Sequence, residues 1–399
     1  MKPLSNTASA VRASTTLAID SLAKKLKSAG ADIVGFGAGE PDFQTPDNIR
    51  AAGIRAIEKG LTKYTPAAGT ESLRRAVCKR FKEDFDLDYD FTQVVVASGA
   101  KHNIYVALAA ITNPGDEIIL PAPYWVTYYE VIKMTGGVPV ILDTDESTRF
   151  KITASQLDSA ITDKTKALIL NNPSNPTGML YSREELAAIA EVCKKHDIYV
   201  ISDEIYYKLI YDGKEFVSFA ALSEDAKERT ILINGVSKSY AMTGWRIGYA
   251  VANKQIAKIM ANFLSHSTSA PSTISQYAAE EALLGDQSSV EEMRKVFEQR
   301  RNHIVKRVNS IEYVSCLNPD GAFYIMMNVE KLVGKTIAGT YIKDGDDFAM
   351  ALLEKAGVAV VPCSGFGAPN YVRWTYAASL EDIDKGLDRL ENFLKNIEM

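Results

Sequence analysis

Cysteine and histidine are scarce in this chain, with four of each in 399 residues. Cys78, Cys193, Cys316 and Cys363 stand far apart and form no C-x-x-C pair, so neither a zinc knuckle nor a dithiol redox motif is supported. The histidines are likewise scattered, H-E-x-x-H does not occur, and no metal site is expected. A basic excess is missing too: the net charge of −5 argues against a general nucleic-acid binder. No apolar run approaches the ~18 residues of a membrane span. The opening stretch "MKPLSNTASAVRASTTLAID" lacks the apolar core of a signal peptide. It is rich in serine and threonine but holds only two cations, and with the sparse cysteine it reads as the start of a cytoplasmic protein. Nucleotide motifs are weak as well. A P-loop is absent, and "GFGAGE" misses G-x-G-x-x-G because position 40 is Glu40.

What the chain does have is alternation. Short apolar runs at 94–99, 117–123, 138–143, 166–173, 199–204, 230–236 and 246–252 read as strands, separated by helical patterns. One of these, "SREELAAIAEVCKKH" (182–196), opens on a Ser-x-x-Glu capping box. The pattern predicts an α/β architecture. The ends differ. Residues 12–30 look helical, "VEEMRKVFEQRRNHIVKRVNSI" predicts a long amphipathic helix, and "SLEDIDKGLDRLENFLKNI" predicts a closing one. We therefore expect a large central domain and a smaller one built from both termini.

In doubly wound sheets, ligands bind beyond the carboxyl ends of the strands. Those positions hold Trp125, Asn175, Asp203, Tyr206, Ser237 and Lys238, and the run from Gly99 into Ala100 and Lys101 turns a strand directly into a helix. Such a helix start offers free N–H groups to a phosphate. Ser237 adds a hydroxyl and Arg246 a forked cation. Asp203 suits a proton on a ring nitrogen, Tyr206 and Asn175 a phenolate oxygen, Trp125 a flat ring, and Lys238 a Schiff base with an aldehyde. Taken singly, each has an ordinary explanation: packing, a turn, a helix cap, a solvated cation. Taken together, they match one ligand, pyridoxal phosphate.

The motifs "GAGEPDF", "NNPSNPTG", "SDEIY" and "SKSYAMTGWRIGY" closely resemble those of the class I aminotransferases of the fold-type I pyridoxal-phosphate family. The match runs from about Arg12 to Arg373, nearest to the bacterial aspartate aminotransferase subgroup that includes prephenate aminotransferases. It implies a mostly parallel seven-stranded sheet with one antiparallel strand between helices, in a large domain at 48–290. Residues 1–47 and 291–399 would form the smaller α+β domain. It implies pyridoxal 5'-phosphate on Lys238, and ping-pong transamination between L-aspartate and 2-oxoglutarate. Asp203 and Tyr206 would tune the cofactor, and Ala100, Lys101, Ser237 and Arg246 would hold its phosphate. Arg373 would pair bidentately with the substrate α-carboxylate, as guanidinium suits, with Gly39, Trp125 and Asn175 beside it. Tyr64 would reach the phosphate from the neighbouring subunit, implying a homodimer with shared sites.

One departure bears on specificity. Animal-type relatives use an arginine before "AP", whereas "SHSTSAP" (265–271) holds neither arginine nor lysine. Lys101 and Arg12 are the cations expected to replace it for the side-chain carboxylate. The resemblance leaves aspartate/prephenate aminotransferase and a pyridoxal-phosphate β-lyase as alternatives. A sensing regulator would need a further DNA-binding domain, and the core pattern already begins near residue 12.

Overall fold

A computed structural model describes residues 1–13 and 15–398. All seven expected strands form, with ends within two residues of those expected: β1 (Val94–Ala97), β2 (Glu117–Pro121), β3 (Val138–Leu142), β4 (Thr165–Asn171), β5 (Tyr199–Asp203), β6 (Thr230–Gly235) and β7 (Gly248–Val251). They make one sheet in the order β1-β7-β6-β5-β4-β2-β3. Only β7 runs antiparallel to its neighbours β1 and β6. The rest pair in parallel.

Both faces of the sheet are covered, so its strands are nearly all apolar, not alternating with polar residues. Val95, Ala97, Ile118, Leu120, Ile169, Ile201 and Ile231 face one layer, which includes helix Ala100–Ile111. Val94, Val96, Leu232 and Val251 face another, with helices Glu71–Phe85 and Thr273–Leu284. Leu168, Leu170 and Val200 pack on helix Arg183–Lys195. That helix begins as expected: the Ser182 side chain accepts from the Glu185 N–H, and the Glu185 side chain reciprocates.

A second, antiparallel sheet is built from β8 (Ser315–Cys316), β9 (Tyr324–Asn328), β10 (Val361–Pro362) and β11 (Tyr371–Thr375), in the order β10-β11-β9-β8. Helices Ser288–Val308 and Leu380–Leu394 cover it, near the ranges expected for the two amphipathic segments. Val34–Gly35 pairs with Val358–Ala359, tying the N-terminal segment to this second sheet's surroundings. Asp320 is almost fully buried and pairs with Arg149 and Lys214, both on the side of the first sheet. Arg301, fully buried, pairs with Asp212 and donates to the Pro319 carbonyl. No helix among the described residues is long and apolar enough to cross a membrane.

The antiparallel strand β7 positions the site. Gly248, its first residue, lies directly under the start of helix Ala100–Ile111. A Cβ at Gly248 would sit 2.2 Å from the Ala100 nitrogen. Gly99, the residue before the helix, takes φ +90°, which glycine adopts without strain. Gly248→Ala is expected to cost about 1–3 kcal/mol through overpacking. Chemical denaturation of the variant against the parent checks this, and an unchanged midpoint would refute the close approach.

Candidate active site

The carboxyl ends of the parallel strands open into a cleft of about 390 Å³. Trp125 lies beyond β2, Asn175 beyond β4, Asp203 at the end of β5, and Ser237 and Lys238 beyond β6. Tyr206, Ala100, Lys101, Arg246, Gly39 and Arg373 line the same cleft. Eleven of the thirteen residues expected from the sequence therefore meet there, leaving Tyr64 and Arg12. Tyr64 is fully exposed and borders a separate hollow with residues 270–274. Arg12 lines an adjoining hollow of about 710 Å³ that shares Lys101, Thr127 and Arg246 with the cleft. Its backbone N–H donates to Glu130, and its guanidinium lies 5.9 Å from the Tyr129 ring centre.

Lys238 is half-buried, and its Nζ donates to the Gly39 carbonyl at 2.5 Å. Burial lowers its pKa from 10.5 to about 8, assisted by Arg373 and Arg246 and opposed by Glu40 and Asp203. Near neutral pH this amine therefore gives up its proton more readily than an exposed lysine and is the better nucleophile. Asp203 is shifted the other way, to about 6, because burial disfavours its charge. Two donors restrain it: the Tyr128 hydroxyl at 2.7 Å and the Ile205 N–H at 3.2 Å.

Arg373 comes from β11, across from Met326 of β9. It is 1% exposed, yet no carboxylate pairs with it among the described residues. Its guanidinium donates to the Asn175 side-chain oxygen at 3.0 Å and to the Gly37 carbonyl at 2.8 Å. Its Nε has no partner. Because the Asn175 oxygen faces Arg373, the NH₂ end of that amide remains to donate elsewhere. Arg246 adopts φ 58° and, among the described residues, donates only to carbonyl oxygens, those of Thr243 at 2.8 Å and Ser98 at 3.3 Å. Beside it, helix Ala100–Ile111 starts at Gly99 without a side-chain cap. The cleft thus holds an uncapped helix start and two cations lacking internal carboxylates, the donor set for an anion at each end. Trp125 stands edge-on to Tyr128, and Lys101 Nζ lies 4.8 Å from the Trp125 ring centre. Burial lowers the Lys101 pKa, with help from Arg246.

Sequence reasoning missed Tyr128, Tyr324, Glu40, Thr127, Asn171 and Thr243, all of which line the cleft. Tyr128 was within reach: it lies three residues after Trp125, on the same side of a helix start. Tyr324 carried no such signal, since only the pairing of β9 with β11 brings it beside Arg373. Among the described residues, no cluster of His, Cys, Asp or Glu is placed to hold a metal ion.

Comparison with known proteins agrees with this geometry. A family model described as aminotransferase class I and II matches residues 31–390. An aspartate aminotransferase of Bacillus sp. (strain YM-2) is 50% identical over 98% of this chain and 99% of its own. An aspartate/prephenate aminotransferase of Cereibacter sphaeroides is 46% identical over 98% of each. The crystal structure of the aspartate aminotransferase from Rhizobium meliloti superposes with a TM-score of 0.96 at 39% identity, covering 100% of both chains. By motif, fold and length of match, the chain is an enzyme of the class I and II aminotransferase family.

Proposed function

We propose that this enzyme transfers the amino group between L-aspartate and 2-oxoglutarate, using pyridoxal 5'-phosphate held in the cleft, in the cytoplasm. One observation carries the reading. Arg373, buried and lacking a carboxylate, shares a cleft with Lys238, a lysine whose pKa burial has lowered to about 8. An α-carboxylate satisfies the first, and an aldehyde cofactor uses the second. Residues 48–290 act as the cofactor domain, with 1–47 and 291–399 as the smaller one.

When bound, the cofactor supplies an electron-withdrawing ring that stabilises negative charge at the substrate Cα. The protein does the remainder. The Ala100 and Lys101 N–H groups, the Ser237 hydroxyl and Arg246 hold the phosphate. Asp203, oriented by Tyr128 and the Ile205 N–H, keeps a proton on the ring nitrogen. Tyr206 and the NH₂ end of Asn175 donate to the ring oxygen, and Trp125 covers the ring face. Arg373, with the Gly39 backbone, orients the α-carboxylate. Lys238 Nζ then takes the proton from the substrate Cα. Lys101 and Arg12, which both line the adjoining hollow, receive the side-chain carboxylate. Tyr64, exposed and remote from its own cleft, serves the site of a second copy. Exposed Ile54 and Ile57 on helix Asp47–Glu58 are further surface for that dimer. Prephenate is a second acceptor on this reading: the hollow beside the cleft is lined by Tyr105, Tyr124 and Tyr129 next to Arg12, which suits a bulkier acid.

The direct test follows the visible absorption of the loaded enzyme while single amino acids are added without an oxo-acid. Aspartate and glutamate should convert the band to that of the aminated cofactor, and arogenate should do so if prephenate is accepted. Release of pyruvate and ammonia without an acceptor would instead indicate a β-lyase. Asp203→Asn should lower turnover by roughly 10²–10³-fold, as for loss of one preorganised electrostatic partner, while cofactor stays bound. Equal loss of both would contradict the role. Recombination of the apoprotein with pyridoxal phosphate should depend on the unprotonated Lys238. Its rate should therefore rise as pH rises and level off above about 8; a rate still climbing beyond pH 10 would show an ordinary lysine.

A further inference from the structure

Tyr206 and Tyr324 reach the cleft from the two different sheets. Tyr206 follows β5, and Tyr324 opens β9. Their hydroxyls meet at 3.0 Å, and the residues are 3% and 1% exposed. The Tyr324 ring also lies against Arg373, with the guanidinium carbon 4.4 Å from the ring centre. Its hydroxyl crowds Gly39, where a Cβ would come within 3.0 Å. A phenylalanine would give Arg373 the same aromatic platform, so the platform does not account for the hydroxyl. A buried hydroxyl is costly unless it is paired, and Tyr206 is its partner. If Tyr206 gives its own proton to the cofactor ring oxygen, Tyr324 must be the donor between the two. A hydroxyl that accepts a hydrogen bond becomes a stronger donor in turn.

We propose that Tyr324 is a positioning residue joining the two ends of the site: its ring sets the plane of Arg373, and its hydroxyl strengthens the hydrogen bond that Tyr206 offers to the cofactor ring oxygen. The inference rests on pyridoxal phosphate lying in the cleft as proposed above. The charged groups facing the pair are Arg373 from β11, Asp203 from β5 and Glu40 from the N-terminal segment. Lys238 lies in the same cleft. All four are retained in the variants that test the idea.

The test titrates the visible band of the loaded enzyme with pH and measures binding of maleate, an unreactive dicarboxylate. Above the midpoint the ring oxygen carries its negative charge without a neighbouring proton, so weaker donation from Tyr206 raises the midpoint. Tyr324→Phe should raise it by roughly 0.5 pH unit, the scale of one neutral hydrogen bond, and leave maleate affinity within about twofold. Tyr324→Leu also removes the platform and should weaken maleate binding roughly 5- to 10-fold. In a Tyr206→Phe background, Tyr324→Phe should add no further shift, because the two act in series. A Tyr324→Phe midpoint equal to the parent's, or a full extra shift in the Tyr206→Phe background, overturns the relay. Unchanged maleate binding by Tyr324→Leu overturns the platform. A parent enzyme with no visible band would overturn the functional reading itself, a failure separate from these.

Discussion

A guanidinium held out of water without a counter-charge governs how this cleft is built. Arg373 cannot lose its proton, so the protein must solvate it. It does so with dipoles and a ring: the Gly37 carbonyl, the Asn175 oxygen and the face of Tyr324. None of these neutralises the charge, and the buried Nε remains unpartnered. An internal carboxylate would have made a more stable resting protein and a closed site. The same positive field lowers the pKa of Lys238, so one unpaired cation both attracts an anion and helps keep the lysine reactive.

That arrangement requires two sheets to meet accurately. Arg373 and Tyr324 come from the antiparallel sheet, Asn175, Asp203 and Lys238 from the parallel one. Asp320, accepting from Arg149, Lys214 and the Leu180 N–H, and Arg301, held by Asp212, fasten the junction. In each pair one partner is buried and the other reaches solvent; such pairs contribute little net stability over apolar packing, but removing the exposed partner leaves a buried charge stranded. Their use here is in fixing where one sheet stands relative to the other.

Much of this was legible in the sequence. The seven strands are short apolar runs bounded by turn residues, a pattern that a sheet buried on both faces imposes. Lys238, Asp203, Asn175 and Trp125 are legible because each lies at, or within four residues of, the carboxyl end of a strand, so position along the chain predicts position in space. Legibility fails where tertiary pairing does the placing. Tyr324 became visible only through the register of β9 against β11, and the short strands around 315–375 carry too few residues for a period to show. Arg12 follows no strand of the parallel sheet; it lies in the adjoining hollow, where its N–H reaches Glu130 and Lys101 is a shared neighbour. Tyr64 shows the limit of a single chain: its ring is fully exposed and outside the cleft, so local sequence gives its role no physical support.

The contact between Asn175 and Arg373 has a consequence for how the protein ages. An asparagine side chain is ordinarily lost by attack of the next residue's backbone nitrogen on its amide carbon, which ends in aspartate. Aspartate at position 175 would hand Arg373 the internal carboxylate it lacks and occupy the anion site from within. The next residue is Pro176, whose ring nitrogen carries no hydrogen and cannot close that intermediate. The proline that shapes the turn therefore also protects the amide chemically, and the charge on Arg373 stays available over the lifetime of the molecule.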